Sequence, residues 1–220
     1  MRPGESCDWA SPRRSSIAAS EGLEGAATQG DRHFPAVQRP DGAFLPLWFG
    51  NQSAPAESNP TYGTARVVIA LAAWKRRGHR GVDAMLLAGS RWLRDTRDPD
   101  GGWGADRGLS SSIEETGLAI GALADGAAAA GSLDGIAPAV TEACDWLGTA
   151  TEGARTFAAT PIGLYFAKLW YSESLYPLLF AVEGLGRAQR SLDLATSYEG
   201  REPSRDSQRR SIADPSTEDV

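Results

Sequence analysis

The chain has 220 residues, 41% of them hydrophobic, and carries 22 Lys and Arg against 28 Asp and Glu, which gives a net charge of -6. This length and apolar content fit one globular domain with a sizeable core. The acidic balance, with Arg residues scattered rather than clustered, argues against a nucleic-acid partner. No apolar run approaches the roughly 18 residues of a membrane span, and no signal peptide is visible. We therefore expect a cytoplasmic protein, with any membrane contact peripheral, on the inner membrane.

Metal and disulfide chemistry have few candidate residues. The thiols and imidazoles of the chain are those of Cys7, Cys144, His33 and His79. They are too few, and too far apart, for a zinc motif. The two cysteines lie in a predicted tail and a predicted helix, so we expect unpaired thiols in a reducing compartment. The sequence therefore predicts no metal site.

The N-terminal residues 1–37 are rich in Ser, Gly, Ala and charge without periodicity, and residues 191–220 are similar. We interpret both as disordered tails that flank a folded domain at 38–190. Within that domain the apolar residues follow a helical pattern, and no long stretch alternates at period 2. The sequence therefore predicts an all-α fold.

Two segments of the domain, 64–74 and 116–124, are apolar nearly all round, which is typical of helices buried on most sides. The second follows a capping signal, in which two consecutive serines stand three residues before Glu114 and Glu115. These adjacent glutamates resemble a catalytic carboxylate pair. Their place at a helix start favours capping and stabilisation of the helix dipole instead.

The segments near 83–96 and 136–148 are amphipathic. In the first, Leu86, Leu87 and Trp92 alternate with charged residues. An alternation of buried and half-exposed helices is what a double layer requires, because outer helices must shield inner ones. The sequence therefore predicts two layers of helices.

A short motif recurs along the chain. Its clearest copy is Trp92-Leu93-x-x-x-Arg97-x-x-Asp100-Gly101-Gly102-Trp103, and looser copies are Gln38-Arg39-Pro40-Asp41-Gly42-Ala43-Phe44 and the stretch from Trp146 through Thr151 to Phe157. The polar residues Gln38, Arg97 and Thr151 recur after 59 and then 54 positions. Such a period indicates one supersecondary unit repeated. In the clearest copy an Asp-Gly turn follows a helix end, so we expect Trp103 to fold back and be buried near Trp92.

These repeats resemble the QW motifs of squalene-hopene and oxidosqualene cyclases, whose fold is made of α/α barrels. The resemblance implies an incomplete α/α barrel, or toroid, of inner and outer helices, in which the motif residues tie the outer helices together. The residues to which it gives this structural role are Gln38, Gly42, Phe44, Trp92, Arg97, Asp100, Gly101, Trp103 and Trp146. The sequence departs from the motif at several places: Phe44 stands for Trp, Arg97 and Thr151 stand for Gln, and the third copy has no Asp-Gly pair.

Further elements are collinear with that family. Asp41-Gly42-x-Phe44-x-x-x-Trp48 followed by Tyr62-Gly63-Thr64, and Tyr176-Pro177 followed by Gly184-Leu185-Gly186-Arg187, resemble elements of its C-terminal part. The resemblance places Trp48, Tyr165, Leu169 and Tyr171 on the substrate-cavity wall, where aromatic π faces stabilise carbocations. Leu169 stands where an aromatic residue is usual. For Trp48 and Tyr165, a role in the core is the alternative, because aromatic residues more often pack there.

The catalytic acid of the family lies in an Asp-x-Asp-Asp motif upstream of the element that contains Trp48. This sequence has no such motif. Asp95, Asp98 and Asp100 have the wrong spacing, and we interpret them as part of a solvated turn. The resemblance therefore implies no catalytic residue in this chain. It also implies no metal and no organic cofactor, because the family reaction needs neither.

We therefore expect a C-terminal fragment or subunit of a squalene-hopene-cyclase-like triterpene cyclase, inactive alone, whose partners are an isoprenoid substrate and a complementary cyclase half. An apolar patch should be exposed at inner-helix ends, where that half would dock. The alternative is a non-catalytic α/α module that binds a partner protein or an isoprenoid lipid. A relative of the protein prenyltransferase β subunits, which share the toroid, is disfavoured because the sequence lacks a plausible zinc set.

Overall fold

The computed structural model describes residues 33–79, 81–131 and 135–199, with side chains described as far as Ser191 apart from those of Pro55 and Tyr165. Its long helices are α1 (Pro60–Arg76), α2 (Asp83–Asp95), α3 (Ile113–Ala130), α4 (Ile136–Ala150) and α5 (Leu175–Glu199). Residues 33–37 form a helical turn, so the helical unit extends past the expected limits of 38–190 at both ends. The rest of the expected tails, 1–32 and 200–220, lies outside the described residues.

A small antiparallel sheet lies beside the helices. Its strands are β1 (Phe49–Gly50), β2 (Ile162–Leu164) and β3 (Leu169–Tyr171), in the order β1-β2-β3. Phe49 pairs with Leu164, which pairs in turn with Leu169. These strands were not predicted from the sequence, because two or three residues are too few to show an alternating pattern.

Local chemistry explains where two of the helices begin. The Asn59 side chain accepts a hydrogen bond from the N–H of Tyr62, and Pro60 takes the first position of α1, where no N–H is needed. Ser112 caps α3 by accepting the N–H of Glu115 at 3.1 Å. The predicted capping pair at this helix start is therefore Ser112 with Glu115.

The long helices form two layers around α3, which contacts α1, α2, α4 and α5. Helices α1 and α3 run parallel, because Asn59 meets Glu115 where they begin and Arg76 meets Asp125 near their ends. The outer helices α2 and α4 each follow an inner helix through a short connection and reverse its direction. The predicted all-α fold of inner and outer helices is therefore confirmed.

Burial follows the two layers. In α3 every residue from Ile113 to Gly126 is buried, as expected of an inner helix. Helices α2 and α4 bury one face and expose the other, as expected of outer helices. Helix α1 also buries one face, but Val67, Ala70 and Trp74 on its other side are only half-buried. It is less enclosed than its sequence predicts, because no further inner helix covers that side within the described part of the chain.

Glycines set the distance between α3 and α5. A Cβ atom on Gly184 would lie 2.1 Å from the carbonyl oxygen of Gly117, and one on Gly117 would lie 2.5 Å from that of Phe180. No side chain fits at either position unless a helix moves. Further along, the Ser191 hydroxyl donates to the carbonyl oxygen of Ala124 at 3.1 Å. Because these contacts advance together along both helices, α5 runs parallel to α3.

Replacing Gly184 with alanine should destabilise the fold, because the new Cβ would meet backbone rather than a movable side chain. We expect Gly184→Ala to lower the free energy of unfolding by about 1–3 kcal/mol, the usual cost of overpacking. Gly186→Ala is the matched control, since its Cβ would meet only the guanidinium of Arg190, at 3.5 Å. Urea titrations that give the two variants equal stability would contradict the close contact of α3 and α5.

Candidate functional site

The first two motif copies fold into the same turn. In each copy the Asp carboxylate accepts the N–H two residues further on. The glycine after it takes a positive φ, 99° at Gly42 and 101° at Gly101, which other residues rarely adopt. The N–H of the aromatic residue then donates, at 2.9 Å in both copies, to a threonine hydroxyl on the next inner helix. The pairs are Phe44 with Thr64 in α1, and Trp103 with Thr116 in α3.

Trp103 packs against the helix that precedes its turn. The side chain is 1% exposed, and its indole N–H donates to the carbonyl oxygen of Leu93 at 2.8 Å. Trp92 is buried on the same helix, α2. The bond helps to satisfy a carbonyl group in the last turn of α2, where no following turn provides an N–H donor. The burial of Trp103 near Trp92 therefore agrees with the sequence-based expectation.

The polar residues of these two copies reach the next outer helix. The side-chain amide of Gln38 donates to the carbonyl oxygen of Met85 in α2 at 3.2 Å. Arg97, which stands for Gln in the second copy, forms an ion pair with Glu142 in α4. Each turn therefore connects the helix before it to the outer helix after it.

Asp100 makes a second connection to α4. Its carboxylate accepts the indole N–H of Trp146 at 3.0 Å and the hydroxyl of Ser111 at 2.8 Å. Partial burial opposes ionisation, but these bonds and that from the Gly102 N–H hold the pKa of Asp100 below its ordinary value. The carboxylate is thus a fixed acceptor within the turn.

The third motif copy does not form this turn. The Thr151 hydroxyl donates to the carbonyl oxygen of Leu147 at 2.7 Å and accepts the N–H of Ala154 at 3.1 Å. The sequence here lacks an Asp-Gly pair, and residues 152–154 all have positive φ. Thr151 therefore closes the end of its own helix, α4.

Three of the four residues assigned to the cavity wall lie at the small sheet. Trp48 directly precedes β1, and Leu169 and Tyr171 lie two positions apart on β3, which gives them the same face. Trp48 is 61% exposed and Leu169 55%, and Tyr171 is exposed as well. The side chain of Tyr165 lies outside the described ones. The described residues thus place these groups at the sheet and leave them exposed, without enclosing a cavity around them.

An aromatic cluster holds the sheet against the inner helices. The ring of Tyr62 in α1 lies 5.0 Å from that of Phe49 in β1 and 6.4 Å from that of Phe180 in α5. Tyr176 stacks on Phe180 at 5.4 Å. Such pairs add about 0.5–1.5 kcal/mol each beyond the area they bury. The position of the sheet therefore depends on rings from α1 and α5.

One face of α5 is apolar and exposed. Its five side chains follow the spacing i, i+3, i+4, i+7 and i+10, with exposed fractions between 37% and 60%. We call them the α5 stripe: Leu175, Leu178, Leu179, Val182 and Leu185. The apolar surface was expected at inner-helix ends, whereas these exposed residues lie along the side of an inner helix.

Two charged residues of α5, Glu183 and Arg187, lie on a different face, whereas Arg190 is exposed beyond the last residue of the stripe, with its guanidinium beside Gly186. Glu183 accepts a hydrogen bond from Arg187 at 2.8 Å and lies 3.7 Å from the guanidinium of Arg66 in α1. Arg187 also pairs with Asp125 in α3. Both charges are thus neutralised between inner helices, and the α5 stripe itself carries none.

Two buried carboxyl groups lie where α3 begins. Glu115 accepts the side-chain amide of Asn59 at 2.7 Å and the hydroxyl of Ser112. Glu114 accepts the N–H of Thr160 at 2.8 Å, while its Oε2 is buried without a hydrogen-bond partner among the described residues. Burial raises the pKa of both carboxyl groups. Since Thr160 leads into β2, Glu114 anchors the segment that carries the sheet.

A shallow depression of about 360 Å³ lies on the outer surface, lined by Pro99, Asp100, Gly101, Glu142, Asp145, Trp146 and Thr149. Its acidic lining does not suit an apolar ligand, and it lies beside a motif turn rather than at the sheet.

Within 33–79, 81–131 and 135–199, no group of three or more His, Cys, Asp or Glu residues is placed to hold a metal ion. No helix in those ranges has the length and apolar character needed to cross a membrane.

Comparison with known proteins supports the fold. No family model matches the chain, and no curated protein sequence matches it. Among solved structures, the ent-copalyl diphosphate synthase from Streptomyces platensis matches with a TM-score of 0.58 and 19% sequence identity. The match covers 80% of this chain and 30% of that enzyme's chain. The chain therefore has a terpene-cyclase-like α/α fold. It spans less than a third of the length of the synthase chain that it matches.

Several residues have a positioning role that was not assigned to them from the sequence. They are Asn59, which joins α1 to Glu115, the two threonines that accept from the motif turns, and the glycines at the α3–α5 contact. A signal for the threonines was available, because each lies early in a segment that is apolar nearly all round. The glycine contact had no local signal, since it joins positions 67 residues apart.

We expect Trp103→Ala to lower the free energy of unfolding by about 3–5 kcal/mol, because it removes a buried ring and leaves a cavity. Trp48→Ala is the matched control: it deletes the same side chain from an exposed site, where changes usually stay within about 0.5 kcal/mol. Denaturant titration measures both. A loss below about 1 kcal/mol in Trp103→Ala would mean that the motif does not stabilise the fold.

The raised pKa of Glu114 predicts how stability depends on pH. A carboxyl group of this kind favours folding while protonated, and its contribution is lost as the pH rises through the folded-state pKa. The free energy of unfolding should therefore fall as the pH rises above 4.5, the ordinary glutamate pKa. Glu114→Gln should weaken that dependence, because its amide stays neutral. Urea titrations at several pH values compare it with Glu152→Gln, an exposed control, and equal slopes in wild type and Glu114→Gln would refute the assignment.

Proposed function

We propose that this chain forms the C-terminal helices of a squalene-hopene-cyclase-like triterpene cyclase and that a complementary polypeptide contributes the remaining helices of the barrel. The terpene-cyclase-like fold supports this assignment, and so does the match to 30% of a longer enzyme. The motif turns support it as well, because the second of them connects the successive outer helices α2 and α4, as the QW residues of that family do.

The observation that carries the proposal is the uncovered apolar surface. The α5 stripe and the exposed residues of the sheet have the composition of an interior and lie at a surface. Monomeric proteins rarely expose large contiguous apolar patches, and such patches commonly mark interaction sites. An incomplete barrel accounts for this surface, because a missing inner helix leaves the side of its neighbour uncovered.

In this proposal the sheet forms one wall of the substrate cavity, with Trp48, Tyr165, Leu169 and Tyr171 facing an isoprenoid chain. Protonation of an alkene in such a cavity creates a carbocation, and aromatic faces stabilise it without acting as nucleophiles. The acid comes from the complementary half, because this chain lacks the Asp-x-Asp-Asp motif. Glu114 and Glu115 are committed to holding backbone and helix starts together. The same exposed end of the sheet is where peripheral membrane contact would occur.

A second candidate fits the same surface. A non-catalytic α/α module would use the uncovered apolar residues to bind a partner protein or an isoprenoid lipid, with no reaction following. The absence of the acid motif from this chain is compatible with either function. The two differ in whether product forms when a complementary half is supplied.

The experiment is an incubation of the purified chain with squalene, alone and with a co-expressed complementary half that carries the Asp-x-Asp-Asp motif. We expect no conversion by the chain alone and polycyclic product with both halves, measured by gas chromatography of the extracted lipids. Product from the isolated chain would refute its role as an incomplete enzyme. Association of the halves without product, or no association, would favour the non-catalytic module.

A further inference from the structure

We infer that the α5 stripe is the seam at which an inner helix of the complementary half packs, parallel to α5. The identity of the partner rests on the proposed function. The nature of its docking element, a helix with an apolar face, follows from the geometry and charge of the stripe.

The spacing of the stripe fits a helix. Its members at i, i+3, i+4, i+7 and i+10 form one face of α5 from Leu175 to Leu185, over a length of about 15 Å, and Leu179, Val182 and Leu185 form a ridge along it. A ridge of this kind packs into the groove between side chains of a second helix. A strand would present alternate residues instead, with a repeat that does not follow the ridge.

The uncharged side chains of the stripe disfavour a charged partner surface and a lipid headgroup layer. Helices that lie on membranes combine an apolar face with Lys and Arg on the polar face, near the headgroups. In α5 Glu183 and Arg187 are engaged with Arg66 and Asp125 of the other inner helices, which leaves Arg190 as the single exposed cation among the described side chains of the helix. The five side chains of the stripe are themselves uncharged, which suits residues that become buried on docking.

The direction of the partner helix follows from the order of the inner layer. Helices α1, α3 and α5 are parallel, and α3 lies between the other two. The α5 stripe lies on the side of α5 away from α3, so the next member of the row would pack there in the same direction. A second copy of this chain, related by a two-fold axis across α5, would place two α5 helices antiparallel.

Enough additional chain exists in the related structure to supply such a helix. This chain covers only 30% of the ent-copalyl diphosphate synthase chain that it matches. The larger part of that enzyme has no counterpart here. A complementary segment of the same architecture would therefore present inner helices for α5 to contact.

The test uses the full chain and, as the probe, the cyclase segment with an Asp-x-Asp-Asp motif that is encoded in the same genome. Val182→Glu places a charge at the centre of the stripe, where its burial without a partner would oppose docking. Ala137→Glu adds the same charge to an exposed position of the outer helix α4 and is the matched control. We expect wild type and Ala137→Glu to bind the segment equally, and Val182→Glu to bind at least about tenfold more weakly in calorimetry, or 1.4 kcal/mol. Circular dichroism and urea titration establish that both variants fold.

Equal binding by all three chains would refute the α5 stripe as the docking site. If polycyclic product still formed, the proposed function would stand and only the position of the contact would be wrong. Binding that depends on Val182 but yields no product from squalene would support the seam and refute the cyclase activity. Self-association of the chain through Val182, with no binding of the segment, would overturn the inference in favour of a second copy. A genome that encodes no such segment would overturn it as well.

Discussion

The arrangement of the molecule depends on how closely α5 approaches α3. At their contact the backbone of Gly184 lies directly on that of Gly117, with no room for a side chain between them. This approach fixes the rotation of α5 about its own axis. It turns Glu183 and Arg187 towards the charged groups of α1 and α3 and turns the α5 stripe outward. The ion pairs between inner helices and the uncovered apolar face are therefore two results of one backbone contact.

Much of the fold could be predicted from the sequence, because burial in a helix leaves a direct trace in its composition. Helix α3 is apolar nearly all round and is buried from Ile113 to Gly126. The same pattern in α1 predicted equal enclosure and was wrong on the side of Val67 and Ala70, because composition records what a helix is suited to contact rather than what is present. Trp48 illustrates the same limit at the candidate site: its residue type suits a wall, but only further contacts can make the surface around it a cavity.

The motif turns show that one structural role can be filled by different chemistry. Gln38 reaches the next outer helix through a neutral hydrogen bond to the backbone carbonyl of Met85. That acceptor is present whichever residue stands at the position. Arg97 reaches the next outer helix through an ion pair and therefore depends on Glu142. The substitution thus exchanges a connection that is insensitive to sequence for one that is specific to a partner residue and that salt weakens. Pattern matching alone records only that Gln has been lost.

The two threonine contacts have a consequence for how the chain can change. Phe44 and Thr64 are 20 positions apart and Trp103 and Thr116 only 13, yet each pair makes the same hydrogen bond at 2.9 Å. The longer first segment includes Trp48, β1 and the residues that lead to Asn59. Because the turn and the helix are joined directly by this bond, changes at the exposed positions between them, such as Trp48, need not displace either one. Evolution or protein engineering can thus reshape the surface around Trp48 and leave the scaffold intact.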